Sequence, residues 1–174
     1  MIIIMGIFSF AFSVLISILV VYLTFRLFFR LFSLADLDSI AGGNVAVAVA
    51  AIGNMIAFGI LMMRSLYPVS AVLQDLFITT QLTAQNILKT LAYILAYIVI
   101  AYCFSVITVV ISSKLFQKLT TSIEEADLIK KGNVAVAIML SGIVITIAIM
   151  VQSGLGDLMN TLIPHVDVEM IRVK

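Results

Sequence analysis

The sequence predicts an all-α membrane protein. Four transmembrane helices form two parallel copies of a two-helix hairpin, followed by short interfacial helices and a C-terminal tail patterned as a β-strand. Three observations carry this expectation. Of 174 residues, 63% are hydrophobic and only 11% charged, about half the charge of an ordinary soluble domain. The charges leave four gaps, residues 1–25, 39–63, 90–113 and 132–156, and each exceeds the roughly 20 helical residues that cross the hydrocarbon of a bilayer. Residues 36–53 also align with 125–142 at a constant offset of 89, with nine of eighteen positions identical. The matches include Asp38 with Asp127, Gly43 with Gly132, Asn44 with Asn133 and Gly53 with Gly142. Apolar bias alone would not bring an Asp, a Gly and an Asn into register. This pattern excludes a soluble enzyme, a nucleic-acid binder, a disulfide scaffold and a disordered chain. Because each unit holds an even number of spans, both copies enter the membrane in the same sense.

The first span starts at Met1 with no basic residue before the apolar run and no small-residue cleavage pattern after it, so it is expected to be retained as a helix. Ser9, Ser13 and Ser17 form an i, i+4, i+8 ladder on it. A short charged loop follows, and the second span opens at Gly43-Asn44. On this span Ala46, Ala50, Gly53 and Ala57 recur at three- and four-residue spacing, the pattern that lets helices approach closely in lipid. Asn54 lies ten residues beyond Asn44, about 15 Å deeper. It is expected to hydrogen-bond a neighbour such as the serine ladder, or else to face a wet path. Past the second span Pro68 can start a helix, and Val69, Val72, Leu73, Leu76 and Phe77 recur at helical spacing. That predicts a short helix lying in the interface, with an irregular loop as the alternative.

The third span carries Cys103, read as an apolar filler, with Tyr93 and Tyr97 as interfacial anchors. The fourth opens at Gly132-Asn133 and places Ala135, Gly142 and Thr146 where the second span has its small residues. The second and fourth spans are expected to form the central pair, their small faces meeting inside the bundle or between subunits. Leu155, Leu158, Met159, Leu162 and Ile163 predict a second interfacial helix. The expected units are therefore residues 1–85 and 86–163, with a tail at 164–174. In the tail, polar and apolar residues alternate from His165 to Lys174, a strand pattern that would require a partner to pair with, against the alternative of a frayed terminus.

The repeated Gly-Asn has two readings. The first turn of a helix leaves unsatisfied N–H donors, costly near hydrocarbon, which an Asn caps. Gly43 and Gly132 permit the tight turn, and Asp38 and Asp127 lie just upstream, where negative charge is attracted to a helix start. The sharper reading makes Asn44, Asn133 and the two aspartates a polar ring at the mouth of the bundle that binds an ion or a partner.

The twice-occurring pattern of Asp38, Ile40, Gly43, Asn44, Ala46, Ala48 and Gly53, repeated as Asp127, Ile129, Gly132, Asn133, Ala135, Ala137 and Gly142, resembles the YjfL-like family of bacterial inner-membrane proteins. Their shared domain is catalogued as a domain of unknown function, number 350. The resemblance runs from the first span to the end of the fourth and implies a bacterial or archaeal cell-membrane location, with no established activity.

Charge and chemistry narrow the function further. Ten basic against nine acidic residues give a net charge of +1, so no global field recruits polyanions. No ionisable group lies deep in a span, which argues against proton pumps, ion-coupled transport and voltage sensing. There is no phosphate-binding glycine loop, no paired zinc ligands and no nucleophile beside a base, so no catalytic residue, cofactor or metal is expected. Arg26, Arg30, Lys114, Lys118, Lys130 and Lys131 flank the intra-unit loops, against Arg64, Lys89, Arg172 and Lys174 on the other face. This bias places the loops in the cytoplasm and both termini outside. The expected function is a non-catalytic, oligomerising scaffold in the cell inner membrane. It would offer loops 30–40 and 122–131, or the tail, to protein partners or lipid headgroups, and no nucleic acid is involved. The alternative is a passive pore or transport subunit whose path runs between protomers past Asn44, Asn54, Asn133 and the serines.

Overall fold

A computed structural model describes residues 2–31, 37–78, 84–119 and 125–162. Six helices follow in order: α1 (Ile2–Leu31), α2 (Leu37–Ala41), α3 (Val45–Ile78), α4 (Ala84–Leu119), α5 (Glu125–Lys130) and α6 (Val134–Thr161). Four contain stretches long and apolar enough to cross a membrane: Phe10–Arg30, Val45–Leu66, Leu88–Leu119 and Val134–Thr161. Helices this apolar must bury their whole circumference in lipid or protein, and helical geometry satisfies their backbone without water. The chain is a multi-pass membrane protein.

The two loops expected between spans each contain a short helix, α2 and α5. The segments expected as separate interfacial helices are the final turns of α3 and α6, which continue without interruption. Pro68 lies within α3 rather than at the start of a new helix. The reason is mechanical. Pro68 has no N–H to give, but each residue added after it gains a hydrogen bond without a new nucleus, so an amphipathic continuation is favoured over a fresh start. The tail at 164–174, with its strand pattern and His165, lies outside the described residues.

The central pair is α3 with α6, as the small-residue spacing led us to expect. They run in the same direction. Asn44 at the start of α3 bonds the end of α5, just before α6 begins. Further along, Gly53 sits against Ser141, and further still the Arg64 side chain lies against Gly156. The Ser141 hydroxyl donates to the Val49 carbonyl at 3.1 Å. A side chain at Gly53 would overlap Ser141, so glycine is what allows this approach. Helix α4 packs on both members of the pair, whereas α1 packs on α3 and makes no comparable contact with α6 among the described residues. The core is built on α3, where Ala46, Val47, Ala50, Ala57 and Leu61 are all fully buried.

Candidate functional site

One turn occurs twice, with the same backbone bonds in both copies. In the first copy the Gly43 N–H donates to Ile40 at 2.9 Å and the Asn44 N–H to Ser39 at 3.0 Å. In the second, the Gly132 N–H donates to Ile129 at 3.0 Å and the Asn133 N–H to Leu128 at 2.9 Å. These crossed bonds close a helix at a residue of left-handed backbone. Gly43 and Gly132 supply it, with φ of +86° and +89°, where a Cβ would be strained.

The asparagine that ends the short helix also starts the long one. The Asn44 side-chain oxygen accepts from the Val47 N–H at 3.2 Å, and that of Asn133 from the Val136 N–H at 3.3 Å. The capping expected from the sequence is therefore present at both sites. The aspartates sit elsewhere than expected. Asp38 and Asp127 lie in the first turns of α2 and α5, at the starts of the short helices rather than against α3 and α6. Both are exposed.

The two copies diverge at one atom. The Asn44 amide nitrogen donates to the Lys130 carbonyl at 2.8 Å, near the end of α5, and at 3.3 Å to the Ile129 carbonyl, which also accepts from Gly132. Asn133 is exposed and its amide nitrogen makes no bond among the described residues. The asparagines are thus not brought together as a ring: one ties the first turn to the second, and the other is left open.

The small-residue faces diverge in the same way. Ala46, Ala50, Gly53 and Ala57 on α3 are buried, whereas Ala135, Gly142 and Thr146 on α6 are exposed. The two small faces therefore do not meet within the chain. Helix α6 instead buries another stripe, including Ala137, Ser141, Val144 and Ala148. The Thr146 hydroxyl bonds its own helix at Gly142.

Nor does the serine ladder meet Asn54. Ser17 donates to the Ser13 carbonyl at 2.8 Å and stays exposed; the Ser9 side chain lies outside the described residues. Ser13 and Ser17 line an open groove of about 300 Å³ between α1 and α3, together with Gly59, Met63 and Leu66. Asn54, 2% exposed, donates to the Ala50 carbonyl of its own helix at 2.8 Å. Its oxygen is buried without a partner. It borders a separate space of about 20 Å³ walled by Thr24, Phe28, Phe58 and Val109.

Several polar residues escaped the sequence reading. Ser65 and Ser105 are buried and bond the carbonyl four residues back, a local solution that spacing alone does not flag. Ser141 was detectable, because the repeat places it opposite Ile52, a polar residue where the first copy has an apolar one. Glu125 opens α5 buried, with one carboxylate oxygen unpartnered. Among the described residues, no three His, Cys, Asp or Glu side chains come close enough to hold a metal ion.

Residues 81–168 match the protein family described as Domain of Unknown Function (DUF350). The chain belongs to this family. The DUF350 match takes in α4, α5 and α6, and with them the second turn, from Asp127 through Gly132 and Asn133. The first turn lies outside the matched segment, so the resemblance expected over both copies is established for the second. No curated protein and no solved structure matches the chain.

Proposed function

We propose that this protein is a non-catalytic scaffold of the cell inner membrane, built of two tandem hairpin units, residues 1–85 and 86–163, that assembles into homo-oligomers. The loops at 30–40 and 122–131 face the cytoplasm and offer their charges to protein partners or lipid headgroups, with both termini on the opposite side. The observation that carries this reading is the exposed small-residue face of α6. Ala135, Gly142 and Thr146 form a face suited to close helix approach, and without a hydrophobic force between helices in lipid, such approach is what drives association.

The pore reading draws less support. The serines line a groove on one side of α1. Asn54 is 2% exposed within one copy, beside an internal space of about 20 Å³ with room for about one water, and so is turned away from a path between copies. Two measurements test the proposal. Sizing the protein in membrane patches excised without detergent should return more than one copy, and a monomer would overturn the scaffold. Purified protein in liposomes should leak no ion or small solute above protein-free controls, and leakage would restore the pore.

A further inference from the structure

Resting on that oligomeric reading, we propose that a second copy of the chain seats its α6 in the groove between α1 and α3. This contact repeats between copies the one that joins the two halves within a copy, and two copies close a ring of four hairpins.

The argument starts from an asymmetry. If the halves faced each other as equals, each contact would have a mate with the units exchanged. They do not: α3 packs on α4 and α5 of the other half, while α6 makes no comparable contact with α1 or α2. The junction is head-to-tail, and such a junction leaves one donor face and one acceptor face unused.

Both unused faces are present. On α3, Ala50 and Leu61, each one turn before a residue that meets α6, Gly53 and Arg64, are 0% exposed. Their mates 89 residues on are Met139 and Met150, 57% and 76% exposed. Gly53 has no room for a Cβ beside Ser141, while its mate Gly142 has nothing within 4 Å. On the acceptor side, the buried Ser141 and Ala148 of α6 correspond to Ile52 and Gly59, both exposed. Gly59 lines the groove of about 300 Å³ beside α1.

The turns agree independently. The Asn44 amide donates to Ile129 and Lys130. The unpartnered Asn133 amide would find the corresponding carbonyls, Ile40 and Ala41, on a second copy.

The register also sets the closure. Gly53 touches Ser141, and the mate of Ser141 is Ile52. The Arg64 side chain lies against Gly156, whose mate is Tyr67, so the outgoing and incoming faces of a hairpin are one to three residues apart, about 60–100° around a helix. Neighbours in a planar ring subtend about 90° for four units and about 120° for six, and a chain of two units permits only even numbers. Four units, hence two copies, is the nearer fit.

Cross-linking tests this. Within a copy the Phe58 and Tyr102 rings lie 5.0 Å apart, joining α3 to α4. Their mates, Ile147 and Ser13, should come together only between copies. In a Cys103→Ser background, Ser13→Cys with one tag and Ile147→Cys with another are co-expressed and treated in native membranes with a short bis-maleimide. The expected product is a covalent dimer bearing both tags, with neither variant cross-linking alone. Adding Gly142→Leu, whose site is open within one copy, should cut that product about tenfold or more while helicity is unchanged. Single variants that cross-link to themselves, or an oligomer that never yields the mixed product, overturn the head-to-tail contact and leave the scaffold standing. A chain carrying both Ser13→Cys and Ile147→Cys should cross-link to no more than two copies, and larger products overturn the closed ring. Protein that is monomeric in excised patches overturns the scaffold reading itself.

Discussion

Asn44 and Asn133 make the same cap, but only Asn44 reaches a second helix, so the two should respond differently to the same substitution. Losing a cap costs roughly 0.5–2 kcal/mol, and losing a hydrogen bond about 1 kcal/mol more. Asn44→Ala should therefore destabilise the monomer by about 1 kcal/mol more than Asn133→Ala, measured by reversible unfolding in mixed micelles diluted until the chain is monomeric. Asn44→Ser, which keeps an acceptor for the cap and loses the amide donor, should fall between wild type and Asn44→Ala. The glycines divide likewise. Gly53→Ala must displace Ser141 and should cost roughly 1–3 kcal/mol, whereas Gly142→Ala, with open space around it, should leave the monomer's stability within about 0.5 kcal/mol. The cap itself was legible in the sequence, because a Gly-Asn pair before an apolar run solves a local problem in local terms. The bond from Asn44 to α5 was not, since it joins residues 86 apart and depends on how two helices pack.

At the scale of elements, apolar length identified the four spans, and the structure places a long helix over each. What the sequence obscured was where helices stop. The segments expected as short charged loops each hold a helix, Leu37–Ala41 and Glu125–Lys130, each closed by a glycine two residues past its end. A helix of five or six residues is marginal alone, and it persists here through the crossed bonds of its closing turn and its packing on the spans. The reverse error occurred at Pro68, which favours a helix start but lies within α3. Spin labels at positions 63 and 75 report on this directly. An unbroken helix holds the two backbone sites about 18 Å apart in a narrow distribution, whereas a break at Pro68 would broaden and shift it.

At the scale of the whole molecule, the parallel course of α3 and α6 follows from the order of their contacts: Asn44 with Lys130, then Gly53 with Ser141, then Arg64 with Gly156. The repeat made a shared direction legible from the parity of spans alone. The unequal roles of the halves were not legible, because nine identities in eighteen positions describe what the units share and not which face of each is covered. That inequality is the physical basis for expecting a second copy. It requires both hairpins to cross the bilayer in one sense. The most direct test is labelling of single cysteines, Asp38→Cys and Asp127→Cys in a Cys103→Ser background, with a membrane-impermeant maleimide in sealed vesicles of known orientation. Both positions are exposed, and both should react from the same face and be protected from the other. Reaction of the two from opposite faces would contradict the account.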